Sequence, residues 1–177
     1  RLTTVNIAEG VEEIGSYAFD SCASLESIVL PDSVITLSDA AFSNCGSLKT
    51  VTLPSDLVEI ADSLFANCND LESVIIPSTV TTIGYRAFEN CSSLLQIVIP
   101  SNVTSIERQA FRYCTNLEVV LFEGDAPTID YDSFSSCTVT ALYPEDNSTW
   151  VEDLLLDYGG SITWMGIGQL TSLEVSN

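Results

Sequence analysis

Six cysteines stand at Cys22, Cys45, Cys68, Cys91, Cys114 and Cys137, and six phenylalanines at Phe19, Phe42, Phe65, Phe88, Phe111 and Phe134. Both series advance in steps of 23 without a slip. A fixed period of roughly 20–50 residues marks a solenoid. One unit of that length is too small to bury its own apolar face and is stabilised by stacking on the next. The period therefore dictates columns: every residue of one coil lies beside its equivalent in the coils before and after.

The unit reads most clearly from Leu71 to Cys91, LESVIIPSTVTTIGYRAFENC. Its first part, L-x-x-V-x-I, alternates with period two and is rich in β-branched residues, which predicts a short strand. Leu2, Val5 and Ile7 match it in the first coil, and Leu117, Val120 and Phe122 in the sixth. Pro31, Pro54, Pro77 and Pro100 follow the strands; proline has no N–H to donate to a ladder and marks the exit from it. A second extended pair follows, from Val11 and Ile14 in the first coil to Ala126 and Ile129 in the sixth. The G-x-x-A-F-x-x-C segment predicts a short helical turn, because Ala87, Phe88 and Cys91 share one face. The pattern decays after Cys137: Glu123 stands where proline is expected and Ser133 where alanine is. Val139–Tyr143 predicts a seventh strand, Asn147–Asp157 an amphipathic helix ended by Gly159-Gly160, and Ser161–Trp164 a last strand. Trp150 and Trp164 are expected to pack in a C-terminal cap over the open end of the stack.

Hydrophobic residues make up 46 % of the chain, enough for a continuous core. The 25 acids against 5 bases give a net charge of -20, which excludes nucleic acid as a partner and opposes an anionic membrane surface. No apolar run approaches the ~18 residues of a membrane-spanning helix. There is no signal peptide pattern, and the chain opens in mid-repeat, as a piece of a longer protein does. The cysteine spacing argues against disulfides. Equivalent side chains of strands ~4.8 Å apart keep their Cβ atoms farther apart than the ~3.8 Å a disulfide needs. A straight row does not converge on zinc, and histidine is absent. The cysteines read as buried, reduced thiols acting as small, inert hydrophobes.

Pro, Ala-Phe and Cys recurring together at this period resemble the BspA-like leucine-rich repeats, over about residues 2–143. The resemblance implies an α/β, right-handed leucine-rich-repeat solenoid of 23-residue coils with a parallel β-sheet on the concave face. It also implies an extracellular protein, secreted or anchored to a bacterial cell surface, that adheres to host or neighbouring-cell surface or matrix proteins. The domain organisation expected is a solenoid over 1–143, a cap of helix plus strand over 144–165, and a linker with the start of a further module over 166–177. GQLTSLEVSN at the end resembles the first strand of cadherin-like β-sandwich modules.

Chemistry is scarce. Without histidine there is no Ser-His or Cys-His nucleophile pair, and core-facing thiols have raised pKa values. No carboxylate pair stands out from the general acidity, and the acids between Glu123 and Asp132 lack the spacing of a known calcium loop. No enzyme, cofactor or metal is expected. The outward residues of the strands remain. They form two columns: Ser27, Thr50, Ser73, Gln96 and Val119; and Val29, Thr52, Ile75, Val98 and Leu121. Both are free of charge, while Glu26, Lys49, Glu72 and Glu118 flank them. An uncharged, partly apolar strip in so acidic a chain is the candidate surface for a protein partner. A rigid spacer is one alternative; a carbohydrate-binding module is another, although these columns offer no aromatic platform.

Overall fold

The computed structural model describes residues 2–168. Thirteen strands follow one another: β1 (Glu13–Ile14), β2 (Ser27–Val29), β3 (Thr36–Leu37), β4 (Thr50–Thr52), β5 (Glu59–Ile60), β6 (Ser73–Val74), β7 (Thr82–Ile83), β8 (Gln96–Ile99), β9 (Ser105–Ile106), β10 (Val119–Phe122), β11 (Thr128–Ile129), β12 (Thr138–Pro144) and β13 (Ser161–Ile167). All pairings are parallel and join equivalent segments of successive coils. One face carries β2-β4-β6 and then β8-β10-β12-β13; a second carries β1-β3 and then β5-β7-β9-β11. The ladders are interrupted between β6 and β8 and between β3 and β5. Leu2, Val5 and Ile7 form no strand; Leu2 is exposed and the other two half-buried.

Between the faces runs one core. The repeat leucines Leu25, Leu48, Leu71, Leu94 and Leu117 and the phenylalanines Phe42, Phe65, Phe88, Phe111 and Phe134 are fully buried. Neighbouring phenylalanine rings stack 5.1–5.8 Å apart and nearly parallel, in an unbroken column from Phe19 to Phe134.

The turn face corrects the expectation of helical turns. In the fourth coil the Arg86, Phe88 and Asn90 N–H groups donate to Arg108, Ala110 and Arg112 of the next coil at 2.7–3.1 Å, while Ala87, Glu89 and Cys91 donate three residues back. Half the donors a helix needs are thus committed between coils. The backbone meets that demand by entering the left-handed region twice in each of the first five coils, as at Arg86 (φ 55°) and Asn90 (φ 59°), and once in the sixth, at Ser136. Such residues each cost roughly 1–3 kcal/mol, offset by the hydrogen bonds gained between coils. Asparagine tolerates this conformation best, and Asn44, Asn67 and Asn90 occupy one of the two positions. Their side chains form a ladder: Asn90 Nδ2 donates to Asn67 Oδ1 (3.1 Å) and Asn67 Nδ2 to Asn44 Oδ1 (3.0 Å). Among the described residues there is no α-helix, so the α/β description does not hold.

The cysteines do more than fill space. Each thiol from Cys45 to Cys137 donates to the phenylalanine carbonyl of the preceding coil, as Cys91 Sγ does to Phe65 O at 3.2 Å. That carbonyl also accepts the N–H of its own coil's cysteine. Both lone pairs of a buried oxygen are satisfied, which a methyl or methylene group would not achieve. None of the six forms a disulfide. Burial pushes the Cys45 and Cys137 thiols up to about 11 and raises Cys68, Cys91 and Cys114 as well. Because the thiolate is the nucleophile, alkylation of the native protein at pH 8 is expected to modify the half-buried Cys22 well before the other five. Peptide mass spectrometry reads the order, and equal labelling of all six would contradict the buried row.

The C-terminal region differs from expectation. In place of an amphipathic helix over Asn147–Asp157 there is one short 3-10 helix, Glu152–Leu154, with no buried residue. Gly159 and Gly160 end no helix. They stand one repeat period after Ser136 and Cys137 and continue those two columns, Gly159 with φ 83°. The expected seventh strand is β12, and the last strand runs to Ile167, through Gly166, where a break is expected. Trp150 packs edge-on against Phe122 at 4.9 Å, lies 5.2 Å from Tyr143, and donates its Nε1–H to Gly124 O at 2.9 Å. Trp164 stacks on Phe122 at 5.8 Å and donates to Leu156 O at 2.9 Å. Gly168 alone of the GQLTSLEVSN segment is described, so the expected further module lies outside the described residues.

Candidate functional site

The strands place the two predicted columns where their alternation puts them. Ser27, Thr50, Ser73 and Gln96 are exposed and Val119 half-buried; Val29, Thr52, Ile75 and Val98 are exposed and Leu121 half-buried. Ser27 pairs with Thr50 and Thr50 with Ser73; Val29 pairs with Thr52. Gln96 pairs with Val119 and Val98 with Leu121. The two groups belong to separate sheets, so the site is two short arrays meeting at the β6/β8 interruption.

Ile75 stands at that interruption and is 86 % exposed, the most of any large apolar side chain among the described residues. Two hollows flank it. One of about 330 Å³ is lined by Val51, Thr52, Leu53, Ser55, Ile75, Pro77 and Ser78. The other, about 300 Å³, lies toward Val98, Pro100 and Glu123. A single exposed isoleucine is ordinary; one set between two apolar hollows is an arrangement that a partner's side chains can straddle.

The second column continues past Leu121. Leu121 pairs with Leu142 and Leu142 with Met165, so Ile75, Val98, Leu121, Leu142 and Met165 make an apolar row across five coils. Leu142 and Met165 escape a reading by period because the register slips there. Val119 pairs with Thr140, where the period would give Leu142, and β13 then restores the regular step from Thr140 to Thr163. The alternation within Thr138–Pro144 carries the signal, but the strand sits two residues out of step with the period although Cys137 keeps it, which hides its register. Beside the row, Glu26, Lys49, Glu72, Leu95 and Glu118 are exposed, and Glu123 lines the hollow next to Ile75 and Val98, so charge borders the strip without entering it. The acids between Glu123 and Asp132 are partly engaged: Asp125 accepts from Asn147 (2.9 Å), and Asp132 is held below the usual carboxylate range by its hydrogen bond with Arg108.

Known proteins share this architecture. A leucine rich cell surface protein from Faecalibacterium prausnitzii A2-165 is 41 % identical over 70 % of this chain and 32 % of its own, with a TM-score of 0.67. The T. pallidum leucine rich repeat protein is 27 % identical over 75 % and 66 %, at 0.64. A leucine-rich repeat protein from Bacteroides ovatus ATCC 8483 is 28 % identical over 77 % and 36 %, at 0.66. The chain thus spans about a third of two of these proteins and two thirds of the other. No curated protein matches it. The sequence profile of the BspA type leucine rich repeat region matches residues 1–118 in six copies. Its repeat is the one whose phenylalanine, cysteine and strand columns build this stack, and the chain belongs to the BspA-type leucine-rich repeat family.

Proposed function

We propose that the outward face of the strands β2, β4, β6, β8, β10, β12 and β13 binds a protein partner, and that the chain is a non-enzymatic interaction domain. The observation that carries this reading is the apolar row Ile75, Val98, Leu121, Leu142 and Met165, which the core does not use and the acidity of the chain leaves uncharged. Patches of this kind mark interaction sites. In this reading the domain works in adhesion, on a secreted or surface-anchored bacterial protein, and its partner is a surface or matrix protein of a host or neighbouring cell. The cell-surface description of the Faecalibacterium protein supports that setting. The Trp150–Trp164 aromatic cluster terminates the stack as its cap.

The test is surface plasmon resonance of the domain against a panel of matrix proteins, repeated with Ile75→Asp plus Val98→Asp. Both residues are exposed, so circular dichroism and melting should be unchanged. Binding is expected to fall at least tenfold. Two charges desolvated at an apolar contact cost more than the roughly 1.4 kcal/mol that a tenfold change represents. Undiminished binding by the folded double variant would count against this face.

A further inference from the structure

On the turn face, away from the strand columns, three arginines and three tyrosines meet. They are all the arginines among the described residues. Arg112 contacts Glu89 at 3.4 Å, Glu89 contacts Arg86 at 3.5 Å, and Arg86 Nε donates to Gln109 Oε1 at 2.8 Å. Gln109 Nε2 donates to Asp132 at 3.2 Å, and Arg108 meets the same carboxylate with two N–H groups at 3.0 and 3.3 Å. The result is one polar chain, Arg112–Glu89–Arg86–Gln109–Asp132–Arg108, across three coils. Each guanidinium also lies 4.5–4.9 Å over a tyrosine ring: Arg86 on Tyr85, Arg108 on Tyr131, Arg112 on Tyr113.

The repeat does not require this. The equivalents of Tyr85, Arg108 and Tyr131 in the first three coils are Ser16, Asp39 and Asp62; those of Arg86 and Gln109 are Tyr17, Ala40 and Ser63. The coils stack with either set, so the aromatic and basic residues of coils four to six are free choices of the sequence.

We infer that this patch is a carbohydrate site for a neutral oligosaccharide. Tyr131 is 68 % and Tyr113 40 % exposed, so rings held by arginine on one face leave the rest open to the C–H face of a sugar. The locked guanidinium, amide and carboxylate groups present fixed pairs of donors and acceptors, the complement of adjacent sugar hydroxyls. Their orientation is set before binding, which lowers the entropy lost on association. Tyr85 and Tyr131 lie in one column two coils apart, roughly 10 Å at ~4.8 Å per coil, the reach of a disaccharide. The charge balance selects the class of ligand. Arg86 and Arg112 share Glu89 and Arg108 is paired with Asp132, so most of the cluster's positive charge is offset. The chain as a whole is at -20, so an anionic glycan meets a long-range repulsion.

Isothermal titration of the domain with cellohexaose, mannohexaose and chitohexaose, and with heparin as the anionic comparison, tests the assignment. At least one neutral hexasaccharide is expected to bind and heparin not to. Tyr85→Ala plus Tyr131→Ala should weaken that binding roughly tenfold or more, because it removes the two stacking surfaces of one column, while the melting temperature stays within a few degrees. Tyr131→Phe keeps the ring and should retain most of the affinity. Ile75→Asp plus Val98→Asp, on the other face, should leave it unchanged, which separates this site from the protein-binding face. Preference for heparin, binding of none of the three hexasaccharides, or equal binding by the folded double tyrosine variant overturns the assignment and leaves the cluster a stabilising network between coils.

Discussion

Replacing Phe88 by alanine is expected to destabilise the protein by about 3–5 kcal/mol and to lower its melting temperature by roughly 6–20 °C. Phe88 is fully buried and sits between Phe65 at 5.6 Å and Phe111 at 5.4 Å, both stacked on it. Its removal leaves a void with a ring on each side. Neither neighbour can move in to fill it, because the backbone on both sides is tied down: Phe65 N–H donates to Ala87 O and Phe88 N–H to Ala110 O, each at 2.8 Å. The site therefore collapses poorly, which puts the cost toward the upper end of the range. Phe19, half-buried in the first coil and stacked on one ring only, should lose much less on the same change. Thermal melts of the two variants measure the difference, and equal losses would mean that the column does not act as a stack.

The second large effect runs against what the repeat suggests. Gly160 stands in the cysteine column, so Gly160→Cys restores the repeat pattern on paper. In the structure a Cβ at Gly160 would lie 2.5 Å from Phe134 O and 2.9 Å from Cys137 O. Both are backbone atoms that no rotamer change can withdraw. The last coil has drawn in until its own backbone occupies the space a side chain takes elsewhere, and Ser161 N–H closes on Cys137 O at 2.9 Å. The substitution must push β13 away from β12, at a cost of roughly 1–3 kcal/mol for overpacking. A lowered melting temperature with faster amide exchange over Ser161–Ile167 is the expected result; a gain in stability would show that the cysteine column extends one coil further.

These two positions also mark how far the sequence is legible. Phe88 and its equivalents are readable because a column repeats one residue type, and repetition at a fixed spacing determines burial. The outward positions Ser27 to Leu121 follow from strand alternation alone. Gly160 is not readable in this way. A glycine pair after a polar segment resembles a helix end, and its role depends on how closely two coils approach. The turn face resists reading for a related reason. The i, i+1, i+4 placement of Ala87, Phe88 and Cys91 fits a helical turn and an inter-coil ladder equally well; the hydrogen-bond partners decide, and they lie in the next coil. The arginine–tyrosine patch is invisible along the chain because its members occupy four different columns and form a cluster only once the coils are stacked.

The row of thiol donors has a consequence for how such chains change length. Every bond in it points one way, from the cysteine of a later coil to the phenylalanine carbonyl of the coil before. A coil thus arrives with one donor for its predecessor and one acceptor for its successor. Duplicating or deleting a whole repeat unit, as unequal recombination between similar repeats does, leaves the number of unmatched groups inside the stack unchanged. An insertion of any other length, unless it is looped out of the stack or absorbed by a register slip such as that between β10 and β12, shifts every later thiol off its carbonyl and every later phenylalanine off its column. Selection for a satisfied interior therefore makes the repeat the smallest step by which this kind of scaffold can grow or shrink, and leaves the outward positions free to diverge between the copies so produced.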